Sequence, residues 1–150
     1  MNRKKIKKGN FLIFVLLAII FVSLQFSNFK IFEVKPDFFL IFVALIPIFI
    51  TEILEGVFLL ALASFLAKFT PQVSGEILAV FLAGLVIIVL KKFIPFHSFL
   101  SFLAATLFLT IVSYLILYPA FIFSAIFIKE ILYNIIIGSV AFFALSRLKA

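Results

Sequence analysis

The sequence predicts an all-α integral membrane protein, a compact bundle of about six transmembrane helices with both termini in the cytoplasm. Three observations predict it. Of the 150 residues, 67% are hydrophobic and 13% charged, whereas soluble domains run near about 45–50% and 25%. A domain of this size still exposes roughly 30% of the surface of its unfolded chain, so much of this apolar surface has to meet lipid. The apolar content suffices for five or six runs of about 20 residues, the length that crosses the hydrocarbon, and leaves no room for a large aqueous domain. Finally, Arg3, Lys4, Lys5, Lys7 and Lys8 stand directly before the first run, as juxtamembrane cytoplasmic residues do.

Residues 1–10 read as a basic cytoplasmic N-terminus and residues 11–150 as one polytopic membrane domain. The basic start followed by Phe11 to Ser23 imitates a signal peptide. No small-x-small cleavage site follows, and the run continues to Phe29, so 11–29 is expected to be a retained first span. A loop from Lys30 to Pro36 leads to Pro36-Asp37, a helix-start signal: proline has no amide hydrogen to lose, and aspartate accepts the unpaired ones. The second span is expected over 37–51, with Pro47 kinking or ending it. Thr51, Glu52, Glu55 and Gly56 form a polar notch before a third span over 56–67. The stretch 37–67 thus reads as two short antiparallel helices, or alternatively as one long interrupted helix.

Lys68 to Glu76, with Pro71, Ser74 and Gly75, reads as a loop in which Ser74 can cap the fourth span, 77–90. Lys91-Lys92 ends that span, and Pro95 and His97 belong to the next loop. The fifth span is expected over 98–118, before Pro119. Residues 119–128 read as an interfacial or re-entrant segment. Lys129 and Glu130 precede a sixth span over 131–146, and Arg147 and Lys149 follow it. With six spans and a cytoplasmic N-terminus, the inner side collects the five N-terminal charges, Lys91, Lys92, Arg147 and Lys149, against Lys30, Lys35, Lys68 and Lys129 outside. This split satisfies the positive-inside rule, and the reverse orientation violates it. The net charge of +7 therefore points to a membrane surface, with no nucleic acid expected.

Small and polar residues mark the faces expected to pack, because apolar surface gains nothing by leaving lipid. They fall in stripes: Gly56, Ala63 and Ala67; Ala79 and Ala83; Thr106, Thr110 and Ser113; Asn134, Gly138 and Ala141. Phe, Ile and Leu are expected to face outward. Phenylalanine, 24 of 150 residues beside no tryptophan, reads either as low-GC composition or as a lipid- or aromatic-binding surface. Tyr114, Tyr118 and Tyr133 remain as interfacial anchors. Beside this packing, each stripe has a functional reading, as the wall of a ligand cavity or as a surface for a partner's helix.

Little points to catalysis. Absence of cysteine excludes disulfides and thiolate chemistry, and the lone His97 reads as an exposed loop residue. No Ser, His and Asp constellation, phosphate loop or metal-spaced cluster stands out. The six acids, Glu33, Asp37, Glu52, Glu55, Glu76 and Glu130, all fall at span ends or in loops. Glu52 and Glu55 have the spacing of one helical turn, which suits a cation site or relay, or simply two solvated carboxylates. No enzyme activity, cofactor or metal is expected.

Several segments together resemble MreD, the small membrane component of the bacterial rod-shape, or elongation, machinery. Leu24-Gln25-Phe26-Ser27 is similar to the family's Leu-Gln-Ser stretch closing the first helix. Val34-Lys35-Pro36-Asp37-Phe38-Phe39-Leu40 is similar to its Pro-Asp-Leu start of the second, and Tyr133-Asn134 to a Tyr-Asn pattern opening the last. The family's glycine-rich third helix ending in Asp is not matched: Ala61, Ala63, Ser64 and Lys68 stand there. The resemblance implies a scaffold of the bacterial inner membrane that binds an MreC-like protein and other elongation-complex proteins, in control of cell shape and sidewall peptidoglycan synthesis. It leaves Pro36, Asp37, Asn134, Gly138 and Ala141 as structural or partner-contact candidates. MreD-like proteins also resemble, in helical plan, the substrate-binding S components of energy-coupling-factor vitamin transporters. That supplies the alternative function, the one under which a small-molecule ligand is expected.

Overall fold

A computed structural model describes residues 3–27, 30, 33–68, 74–94 and 98–149, with side chains from Phe11 onward except those of Ser74 and Lys149. His97, Pro71, Pro95 and the capping side chain expected of Ser74 lie outside the described residues. Six α-helices follow in order: α1 (Arg3–Phe26), α2 (Phe38–Phe49), α3 (Ile53–Ala67), α4 (Ser74–Leu90), α5 (Phe99–Leu117) and α6 (Ala125–Lys149), with one 3-10 turn over Pro119–Phe121. No strand occurs among the described residues.

The helix order matches the expected one, and the boundaries differ where charge was read as loop. The basic N-terminal segment is helical from Arg3, so α1 carries its charges on its own first turns. It ends at Phe26, and the expected end, Phe29, lies outside the described residues. Helix α3 begins at Ile53 and not Gly56, because Glu52 and Glu55 sit at its N-terminus, where the helix dipole favours a carboxylate. Helix α4 takes in Glu76 in its first turn for the same reason. Pro47 lies within α2, which ends two residues beyond it at Phe49. The 37–67 stretch is two helices and not one interrupted helix.

The largest difference is at 119–130. Tyr118 ends α5, the turn Pro119–Phe121 reverses the chain, and Phe123 takes a left-handed φ of 70°. Ser124 Oγ then accepts the Phe127 amide at 3.2 Å, as an N-cap does. Helix α6 therefore starts at Ala125, six residues before the expected start, and Lys129 and Glu130 lie on it. The segment 119–128 is thus a turn followed by the first residues of α6.

Helix α2 occupies the centre. Every residue from Phe38 to Phe49 is buried, and α1, α3, α4, α5 and α6 all pack on it. The five form an open ring in the order α1, α3, α4, α5, α6. Phenylalanine is divided: Phe58, Phe65, Phe123 and Phe143 face outward as expected, whereas between hub and ring Phe14 meets Phe42 and Phe49, Phe21 meets Phe38 and Phe42, and Phe142 meets Phe49 and Phe102 at centroid distances of 5.4–6.4 Å. Every residue of the central helix is covered by its neighbours, so its rings pack against theirs.

The predicted small stripes turn inward and set the approach of the ring to the hub. Gly56, Ala63, Ala67, Ala79, Ala83 and Gly138 are buried. A Cβ added at Gly84 would lie 2.7 Å from Val43 Cγ1, and one at Gly138 would lie 2.3 Å from Phe102 Cζ. Outside the ring the surface is apolar, with Leu54, Leu100 and Val140 each more than two thirds exposed. Helices α5 and α6 are long and apolar enough to cross a membrane, and the remaining helices have shorter apolar lengths of 12 to 16 residues.

Candidate functional site at the Asp37 end

Consecutive helices are antiparallel neighbours, so the ends of α1, α3 and α5 meet the starts of α2, α4 and α6. At this end the polar side chains converge. Helix α2 starts beneath other helices, and its first amides have no water to bond, so side chains must serve them. Three do. Asp37, the N-cap, accepts the Leu40 amide at 3.0 Å. Gln25 at the end of α1 accepts the Phe38 amide through Oε1 at 2.8 Å. Asn134 on α6 accepts the Asp37 amide through Oδ1 at 2.9 Å. Lys35 Nζ donates to the Gln25 carbonyl, tying the loop to the end of α1.

Around this start lie two further carboxylates, each holding a tyrosine. Tyr114, in the last turn of α5, donates its hydroxyl to Glu130 Oε2 at 2.5 Å, and Tyr118 donates to Glu76 Oε1 at 2.9 Å. The rings of Tyr114 and Tyr118 meet edge to face at 6.0 Å, and Tyr114 also packs on Phe127 at 4.8 Å. Tyr114 is thus buried, not an outward-facing anchor, whereas Tyr118 is 43% exposed.

Asp37 lies just outside α2, and burial pushes its carboxyl up to about 6, with the Glu76 charge adding to the rise. The Leu40 amide and the Lys35 ammonium oppose it. The hydrogen bond to Glu76, and then that carboxylate's charge, raise the Tyr118 hydroxyl above its ordinary value.

Of the sequence-predicted residues, the structure brings Pro36, Asp37 and Asn134 together, with Pro36 buried and Asn134 completely so. Gly138 lies one turn further along α6, against Phe102 and Ile41. Ala141 is half-buried on the same helix, packed against the core. These positions face the bundle interior. Glu52 and Glu55 lie at the opposite end, where Lys91 Nζ donates to the Ile50 carbonyl that closes α2. Thr106, Thr110 and Ser113 are buried on α5, where Thr110 Oγ1 donates to the Thr106 carbonyl at 2.9 Å, while Thr106 Oγ1 and Ser113 Oγ have no partner among the described residues.

Sequence reasoning missed the two tyrosine–carboxylate pairs. Tyr114 and Tyr118 share one face by their four-residue spacing, as do Glu130 and Asn134. That spacing was a usable signal once α6 is started at Ala125. Among the described residues no group of three His, Asp or Glu side chains is placed to hold a metal ion. The arrangement gathers carboxylate acceptors, two phenols hydrogen-bonded to them and a buried amide.

No family model, curated protein or solved structure matches the chain.

Proposed function

We propose that the chain is a multi-pass protein of the bacterial cytoplasmic (inner) membrane, with all six helices in the bilayer, that acts as an MreD-like scaffold in cell elongation. In this role it binds an MreC-like protein and helps to control cell shape and sidewall peptidoglycan synthesis. One observation carries the reading. The three short segments on which the resemblance rests, far apart in sequence, meet at one place: Gln25 and Asn134 accept the amides of Phe38 and Asp37.

The membrane part is supported by the apolar exterior. Contiguous exposed apolar surface on this scale in a soluble monomer would be an association liability. The 12 residues of α2 reach only about 18 Å, less than the roughly 30 Å of hydrocarbon. Its burial inside the ring makes that length workable, since its ends meet side chains and not lipid. The vitamin-transporter alternative draws support from the polar groups at the Asp37 end. It requires a roomy cavity, and the close approach of Phe102 to Gly138 argues against one between α5 and α6.

The test is co-purification of the tagged full chain with the MreC-like protein encoded in the same genome. Association of the wild type is the expected result. Failure of the wild type to associate with any elongation protein would overturn the scaffold role.

A further inference from the structure

Asn134 is 0% exposed, and its Nδ2 has no hydrogen-bond partner among the described residues. Its orientation is fixed, because Oδ1 accepts the Asp37 amide. Flipping the side chain would set an NH2 against that N–H, donor against donor. The free donor therefore awaits an acceptor that the described residues do not supply.

It does so beside a group of carboxyls. Asp37 belongs to the very turn that Asn134 holds, and Glu130 stands one turn earlier on the same face of α6. Glu76 adds its charge to both. Each of the two glutamates has one oxygen bonded to a tyrosine, which leaves its other oxygen available. Lys35 is the cation that acts on Asp37, and its Nζ is directed to the Gln25 carbonyl. A bare metal ion needs three or more such ligands within reach of one point, an arrangement absent among the described residues. A primary ammonium has three N–H donors that reach more widely spaced oxygens, and the tyrosine rings suit a cation as well.

We propose that the Asp37 end of the bundle is a binding site for a primary ammonium that carries a hydrogen-bond acceptor a few bonds away, as an ethanolamine phosphodiester does. The ammonium lies among Asp37, Glu130 and Glu76, and the attached oxygen accepts from Asn134 Nδ2. Half-exposed Tyr118 stands at the rim. Two sources share this chemistry, an aminophospholipid headgroup and a free amine. The headgroup source rests on the membrane reading, and the free amine does not.

The experiment uses the full chain in two settings. In detergent it is titrated with glycerophosphoethanolamine, with glycerophosphocholine as control, following tyrosine emission and the thermal unfolding midpoint. In phosphatidylglycerol vesicles the same midpoint is followed as phosphatidylethanolamine or phosphatidylcholine is added. The choline compounds keep the phosphodiester and lose every N–H. A response to ethanolamine and not to choline is expected, and the arm in which it appears identifies the source. Glu76→Gln and Glu130→Gln together should weaken it by about tenfold or more, the scale of charged hydrogen bonds. Equal responses to choline, no response in either arm, or an undiminished response in the double variant overturns the proposal. Association with an MreC-like protein is measured without this ligand, so either reading can fail alone.

Discussion

Gly138 is where a single atom decides the packing. A Cβ there would lie 2.3 Å from Phe102 Cζ and 3.3 Å from Ile41 Cγ2, and Phe102, itself 0% exposed, has no open side to move to. Gly138→Ala should therefore lower stability by about 1–3 kcal/mol, read as the thermal midpoint in detergent. Phe102→Leu on that background should recover part of the loss, and no recovery would mean that the clash is not the cause. Asp37 gives a prediction of different form. Its carboxyl, near 6 when folded and about 3.9 unfolded, favours the folded state when protonated. That contribution is present below about pH 4 and is lost as pH rises through about 6. Asp37→Asn keeps a capping oxygen and stays neutral, so it should be more stable than wild type at pH 7.5, with the gap closing by pH 4. A variant less stable than wild type at pH 7.5 would show that the carboxylate's bonds to the Leu40 amide and its attraction to Lys35 outweigh burial. The sequence made Asp37 and Asn134 visible because each is costly to place without a partner. It hid the Tyr114–Glu130 and Tyr118–Glu76 pairs, whose members belong to different helices and whose carboxylates look like ordinary helix-end charges.

The hub α2 shows how a short apolar helix can sit at the centre of a bundle. Its start is served by Asp37, Gln25 and Asn134, and the carbonyl of its C-cap, Ile50, receives Lys91. Gln25→Leu keeps the volume and removes the Gln25 acceptor of the Phe38 amide, so it should cost about 1–3 kcal/mol and speed hydrogen exchange at Phe38. Unchanged exchange there would mean that another group takes over. At α6 the Ser124 hydroxyl holds the first turn, and Ser124→Ala should cost about 1 kcal/mol, with exchange rising at Phe127. The number and order of helices were legible because each apolar run is bounded by charge or proline. Their edges were less so. Lys129, Glu130, Glu55 and Glu76 read as residues outside the helices, yet a charge near a helix start does not interrupt it, and the caps that set the edges are single hydrogen bonds. The burial of α2 was also not legible, since an apolar run looks the same whether protein or lipid surrounds it.

The ring around α2 also sorts charge. By sequence, one end carries the five N-terminal basic residues, Lys91, Lys92, Arg147 and Lys149 against Glu52 and Glu55, nine against two. The Asp37 end carries Lys30, Lys35, Lys68 and Lys129 against Glu33, Asp37, Glu76 and Glu130, four against four. The entire net charge of +7 thus lies at one end. In a bilayer, that asymmetry directs the basic end to the cytoplasm and the Asp37 site outward. Because the chain contains no cysteine, a single introduced thiol reports one position without background. Glu33 and Lys92 are both exposed, at opposite ends. In intact spheroplasts a membrane-impermeant maleimide should label Glu33→Cys and spare Lys92→Cys, and permeabilisation should bring Lys92→Cys to the same yield. Labelling of both before permeabilisation would contradict a sealed six-span arrangement. The reverse pattern would invert the bundle and place the Asp37 site in the cytoplasm, since the six-helix plan keeps the two ends on opposite sides whichever way the first helix inserts.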